Sequence, residues 1–230
     1  MRKIFHLHIR KTSGTVLYNA IKSVYGPQNL LEYRSDMEII GKGIDENRLT
    51  HAFNSVSAIS GHFYKFANLV PSNFYKVTIL RNPLDRTVSA YNHMIADISD
   101  PWHDSIAGFS FEQALEDQRF ATELWNGQTR ALVGAAGKDF EILNDAERIE
   151  SAMEVLGQMD LVGFQEHLAP FYDALRSEHG LQVDYKARVN EDITSQGISS
   201  HELMHLAAKI SMRNRLDIFV YFLALSSGFR

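Results

Sequence analysis

The sequence contains no cysteine. That excludes disulfide staples, iron–sulfur clusters, zinc-thiolate centres and a thiolate nucleophile. It leaves the compartment open, because a cysteine-free chain tolerates either redox state. Proline is scarce, at 5 of 230 residues, and no Pro/Gly/Ser-rich linker interrupts the chain. Internal repeats and low-complexity tracts are absent too, so residues 1–230 read as a single domain. An excess of positive charge is also missing: 23 Lys+Arg stand against 28 Asp+Glu, a net charge of −5. That balance argues against a general nucleic-acid binder, and any anion site must be a local basic cluster. Long apolar runs are lacking as well. The longest, Ile218 to Leu225, has eight residues, against the roughly 20 a helix needs to cross a bilayer. The opening run Ile4 to Ile9 carries His6 and His8 and is too short and polar for a signal peptide. A cytoplasmic protein is expected.

What is present is an ordinary globular composition, 45% hydrophobic and 22% charged. Short β-rich runs alternate with amphipathic ones. Ile4–Ile9, Val56–Ser60, Tyr75–Leu80 and Leu161–Phe164 read as strands. Helices are expected over Val16–Tyr25, from about Asp85, from Phe111, over Ala121–Val133, from Asn144 to Gly157, over His167–Glu178, over Glu202–Ile210 and over Asn214–Leu225. Such alternation implies an α/β fold, a parallel sheet covered by helices on both faces. Ligands of such sheets bind beyond the carboxyl ends of the strands.

Two segments fall at those ends. Arg10-Lys11-Thr12-Ser13-Gly14-Thr15 joins a strand to a helix, the arrangement that turns backbone N–H groups and a helix N-terminus toward an anion. It is not a Walker A loop. Lys11 precedes Gly14 by three residues, and position 9 is Ile rather than Gly, so an ATP-dependent small-molecule kinase is disfavoured. A plain βα turn with a Ser/Thr cap would also fit this loop taken alone. The second segment runs Arg81-Asn82-Pro83-Leu84-Asp85-Arg86-Thr87-Val88-Ser89. Pro83 ends the strand, and Arg81 and Ser89 are placed to converge on one anion. An Arg81–Asp85 ion pair with an idle Ser89 is the plain alternative.

Taken together, the two segments resemble the sulfotransferases that use 3′-phosphoadenosine 5′-phosphosulfate (PAPS), in particular the carbohydrate branch containing the heparan sulfate 2-O-sulfotransferases. Lys11 to Thr15 is similar to that family's 5′-phosphosulfate loop, and Arg81 to Ser89 to its 3′-phosphate segment. Asn126-Gly127-Gln128-Thr129-Arg130, Leu161-Val162-Gly163-Phe164 and Val189-Asn190 are weaker echoes. Arg10 departs from the pattern, standing where the family has proline.

The resemblance implies a three-layer, P-loop-like sulfotransferase fold. PAPS is the expected co-substrate, PAP the product, a hydroxyl-bearing carbohydrate the acceptor, and no metal is needed. Lys11 is then the cation at the leaving phosphate and His62, after Gly61 at a strand end, the base. Arg10, Lys11, Thr12, Ser13, Gly14 and Thr15 line the 5′ site, Arg81 and Ser89 hold the 3′-phosphate, and Lys186 and Arg188 close over the nucleotide. A non-catalytic nucleotide- or glycan-binding relative is the competing implication.

The remaining histidines carry less. His6 and His8 read as packing residues and His93 as a possible border of the site. His201 and His205 have metal-ligand spacing without a third ligand, so no metal site is expected. Arg130 is either a groove residue or a structural pair, and Glu166 a helix N-terminal charge or a second acid/base group. Tyr64, Phe66 and Trp125 are candidate stacking surfaces. The tail Ile218 to Leu225 is either a core helix or the face of a homodimer.

Overall fold

A computed structural model describes residues 2–33, 39, 41–62, 64–183 and 200–228. Five strands, β1 (Lys3–Leu7), β2 (Leu30–Tyr33), β3 (Ala58–Gly61), β4 (Phe74–Leu80) and β5 (Leu161–Phe164), form one sheet in the order β2-β3-β1-β4-β5. All four pairings are parallel. The alternating side chains of β1 explain why it is central. Phe5 and Leu7 enter one core and Ile4 the other, so both faces must be covered.

On the first face lie α2 (Glu46–Ser55), α7 (Gly127–Ala135), α8 (Asp145–Gly157) and α11 (Arg215–Ser226), through residues such as Phe53, Leu132, Leu156 and Val220. On the second lie α1 (Gly14–Tyr25) and α9 (Leu168–His179), through Leu17, Ile21, Phe171 and Leu175. A third apolar cluster gathers α3 (Pro83–Ala96), α5 (Phe111–Glu116) and α10 (Ser200–Arg213) around Tyr91, Phe111 and Ile210. Two short helices, α4 (His103–Ile106) and α6 (Ala121–Leu124), complete the described set.

The expected alternation is therefore present, with differences at particular elements. Strand β2 and helix α2 lie where no element was read. β2 is a four-residue edge strand, and α2 buries only Leu49 and Phe53 of its ten residues. Neither supplies a periodic pattern long enough to detect. The helix expected over Ala121–Val133 is two helices. Asn126 stands between them in the left-handed region (φ 50). Its side-chain oxygen accepts from the N–H groups of Leu216 and Asp217, which cap α11. Gly134 does not end that helix; it lies inside α7.

The chain fills one side of the sheet with β2 and β3, then crosses to place β4 beyond β1. The β1/β4 boundary is thus the topological switch point, where a crevice opens beyond the strand ends. The residues just past β3, β1 and β4 in that row carry His62, Lys11 and Arg81.

Candidate active site

The loop after β1 is built around strain. Lys11 (φ 66) and Ser13 (φ 69) both occupy the left-handed region without being glycine. Such residues cost on the order of 1–3 kcal/mol each and are held by their surroundings. Here the Thr12 hydroxyl, buried, donates to the Ile9 carbonyl at 2.8 Å. Val16 N–H returns to the Ser13 carbonyl at 3.2 Å and starts α1. Gly14 is required for a reason other than phosphate approach. A Cβ there would sit 1.9 Å from the His8 ring, which lies against the loop. Thr15 is exposed at the helix start.

Lys11 is the mobile cation of this loop. Burial and the neighbouring Arg10 and Arg81 charges push its pKa down to about 8, against the opposing pull of Asp100 and Asp97. Arg10 has a different task. Its guanidinium pairs with Asp100 at 2.5 Å and with Glu123 at 2.9 Å. It thus ties the loop to the turn after α3 and to α6, with two carboxylates already on its charge. His93, on α3, reaches the same turn, its Nε2 3.6 Å from Asp97 and 3.7 Å from Asp100.

His62 continues β3 into the same corner. Its Nδ1 is 2.5 Å from the His8 carbonyl. A carbonyl only accepts, so Nδ1 carries the proton and Nε2 keeps its lone pair. The His62 and His8 rings face each other at 4.2 Å between centroids, and His8 stacks on His6 at 5.0 Å. Burial lowers the His62 pKa to about 4, with Arg10 and His93 adding to the effect. His62 is therefore a neutral imidazole at pH 7. His6 is buried, its Nδ1 is 2.9 Å from Ser60 Oγ, and burial holds its pKa at about 3. His6 and His8 pack, as their positions on the strand suggested.

Arg81 is held by its backbone from Gln128, a member of the echo at 126–130. Gln128 accepts from Arg81 N–H at 2.9 Å and donates to the Arg81 carbonyl at 2.8 Å. This two-point clasp fixes the peptide and leaves the guanidinium to turn toward the loop. There Nη1 donates to the Lys11 carbonyl at 3.2 Å. Burial lowers the Arg81 pKa, while Asp85 and Glu166 oppose that. Glu166 is a tether rather than a helix-end charge. It accepts from Asn82 N–H at 2.7 Å and from the Tyr221 hydroxyl at 2.8 Å.

Gln128 is in turn fixed by buried Asp217, which accepts the N–H groups of Gln128 and Thr129 and the Thr129 hydroxyl. The echo at 126–130 is thus scaffold. Its last member, Arg130, pairs with Glu141 at 2.5 Å and lies over the Phe140 ring, a structural pair.

Lys11, His62 and Arg81 therefore stand on three neighbouring strands at one end of the sheet. Ser89 lies on the second turn of α3, partly exposed. Between it and the strand, Arg86 is buried and donates to the Glu123 carbonyl. Lys186 and Arg188 lie outside the described residues. Of the stacking candidates, Phe66 packs against the core, and Trp125 donates to the Leu115 carbonyl with Arg213 over its ring. Tyr64 turns its hydroxyl to the His8 carbonyl. Missed altogether were Asp100, Glu123 and Asp217, while Gln128 stood in the echo at 126–130 without a role. The Asn126-Gly127 pair was a visible turn signal at that place. Among the described residues no group of three or more His, Asp or Glu is arranged to hold a metal ion.

An all-parallel, doubly covered sheet with its βα loops gathered at the switch point defines a P-loop-like α/β protein. The family model described as "Sulfotransferase family" matches residues 1–217, and the chain belongs to that family. A crystal structure of a sulfotransferase from Alicyclobacillus acidocaldarius has the same fold. The TM-score is 0.52 at 17% identity, with 96% of each chain covered. No curated relative matches the sequence. The fold class read from the sequence is thus established, and the chemistry is sulfonate transfer in kind.

Proposed function

We propose that the protein transfers a sulfonate group from PAPS to a hydroxyl of a carbohydrate acceptor, with His62 as base. The observation that carries this reading is that His62 and Lys11 follow neighbouring strands, β3 and β1, at the carboxyl end of the sheet. One is a neutral imidazole with a free Nε2, the other a cation in a strained loop at a helix N-terminus. The residues present suit an anionic nucleotide. The loop offers backbone N–H groups, Lys11 and Arg81 offer charge, and no acidic residue occupies the first turn of α1. PAPS supplies the sulfonate and, as PAP, the leaving group.

Each residue then has a physical task. Nε2 of His62 takes the acceptor's hydroxyl proton, while the His8 carbonyl holds the opposite ring proton and so steadies the imidazolium that forms. Lys11 concentrates positive charge where the leaving phosphate becomes more negative. Thr12 keeps the loop closed, and Ser13, Gly14 and Thr15 bring their N–H groups to the 5′ end. Arg81 and Ser89 take the 3′-phosphate, with Lys186 and Arg188 covering it. Arg10 supports the 5′ site through its two carboxylate partners rather than as a free charge.

The test is transfer of labelled sulfonate from PAPS to a panel of glycans and small alcohols. Wild-type protein is expected to label one acceptor class, and His62→Asn to lose about 10²- to 10⁴-fold in kcat. Equal rates for the two proteins would sink the base assignment. PAP binding without transfer to any acceptor would favour a non-catalytic relative.

A further inference from the structure

We propose that Tyr64 is a positioning residue whose hydroxyl registers the His62 ring against the phosphate loop. The inference deepens the proposed function and rests on it. Tyr64 opens a short 3-10 turn, Tyr64–Leu69, two residues past His62. Its hydroxyl donates to the His8 carbonyl at 3.2 Å, the same oxygen that receives His62 Nδ1–H at 2.5 Å. The phenol oxygen is 3.3 Å from Nδ1 itself. One oxygen atom therefore meets the His8 carbonyl, just past β1 where the loop that carries Lys11 begins, and the base after β3.

The base of the Tyr64 side chain lies against α7. A Cβ placed on Gly134 of α7 would come 3.1 Å from the Tyr64 Cβ, so a side chain there would crowd it. Helix α7 also carries Gln128, which clasps Arg81. Tyr64 thus joins the base and the loop to the helix that sets Arg81. Its phenol stays protonated, since burial raises its pKa well above the ordinary value. It contributes geometry and a hydrogen bond, not a titrating group. The groups facing His62 are His8 and Arg10 from β1 and its loop, His93 from α3, and Tyr64 beside it.

The experiment uses the full chain with Tyr64→Phe, which keeps the ring and removes one oxygen. Loss of one hydrogen bond moves the melting temperature by only about 2–4 °C in a protein of this size. The expected result has two parts. In sulfonate transfer, kcat falls roughly 10-fold or more while KM for PAPS stays within about threefold, as misalignment without lost binding requires. The His62 titration, followed by ring-nitrogen NMR without any substrate, moves up from about 4 by half a unit or more as water reaches the ring. Gly134→Ala, which crowds Tyr64 from α7, shifts both readouts in the same sense by less.

Wild-type kcat with an unmoved His62 titration would overturn the proposal. So would a kcat loss that disappears once rates are corrected for folded protein, or one that leaves the titration in place. Absence of sulfonate transfer by the wild-type protein would instead count against the proposed function, and the substrate-free titration would still decide the role of Tyr64.

Discussion

The two ends of the sheet hold nearly the same side chains and put them to different uses. Beyond the carboxyl ends stand His62, Tyr64, Arg10 and Asp100. Beyond the amino ends stand His179, Tyr25, Arg2 and Asp160. At the second end the Tyr25 hydroxyl donates to the Arg2 carbonyl at 2.6 Å and lies 2.7 Å from His179 Nδ1. Arg2 lies over the Tyr75 ring and reaches Asp160 at 3.5 Å, while Asp160 takes Lys76 N–H at 2.7 Å. His179 is buried and its Nε2 has no hydrogen-bond partner among the described residues. The left-handed residue beside His179 is a glycine, Gly180, where the loop after β1 puts Lys11 and Ser13 in that region. Residue types alone therefore do not make the site. Parallel strands put every βα loop at one end, and there the strained loop, the helix N-terminus and a histidine with a usable nitrogen coincide.

Substitutions at the two ends should diverge accordingly. After the base variant His62→Asn, Lys11→Ala should have the largest effect, lowering kcat/KM for PAPS about 10²- to 10³-fold, the range seen when one preorganised donor is lost. His179→Asn should leave kcat within about twofold and lower only stability, by about 1–3 kcal/mol for a disturbed buried polar group. A rate loss at His179 comparable to that at Lys11 would break the comparison. Gln128→Leu should come next. It removes both bonds to the Arg81 peptide, costs about 2–4 kcal/mol of stability for two buried groups left unpaired, and weakens PAP binding. Calorimetry with and without PAP reads both effects.

The pH dependence sharpens the contrast with less drastic means. His62 must be neutral to act and Lys11 must be protonated. With His62 lowered to about 4 and Lys11 to about 8, kcat/KM should be flat across pH 5 to 7. It should fall as pH drops through about 4 and as pH rises through about 8. An acid limb near the ordinary histidine value of about 6.5 would contradict the neutral, enclosed ring.

Stability carries the same sign. His6 and His62 resist protonation when folded and accept it when unfolded, so the unfolded state binds more protons below about pH 6.5. Stability is full above that pH and is lost as pH falls toward about 4 for His62 and about 3 for His6. The expected loss is on the order of 1 kcal/mol per ring per pH unit. A melting temperature that does not drop between pH 7 and pH 5 would count against it.

Much of this was legible in the sequence because it is local. The strand–loop–helix at Arg10 to Thr15 and the Pro83 stop are read from neighbours in the chain, and so are the strands that carry them. Gly14 was read as room for a phosphate, whereas the structure shows a Cβ there striking His8, a partner six residues away across a turn. The illegible part is long-range. Gln128 clasps a peptide 47 residues away, and Asp217 caps a helix 88 residues before it. Arg10 was read with the 5′ site, and its ion pairs were invisible because its partners, Asp100 and Glu123, come from distant turns. Asn126 shows the limit of periodicity. Its flanks fit one helix, yet its side chain is needed to cap α11.

The most direct measurement is the melting temperature with adenosine 3′,5′-bisphosphate, beside ADP, ATP and 5′-AMP. At 100 times its Kd a ligand adds about 2.7 kcal/mol, a shift of about 5–10 °C for a chain of this length. The account predicts that shift for the bisphosphate, a much smaller one for nucleotides lacking the 3′-phosphate, and its loss in Arg81→Ala. No shift with the bisphosphate, or an equal shift with ATP, would contradict a PAPS site at the switch point.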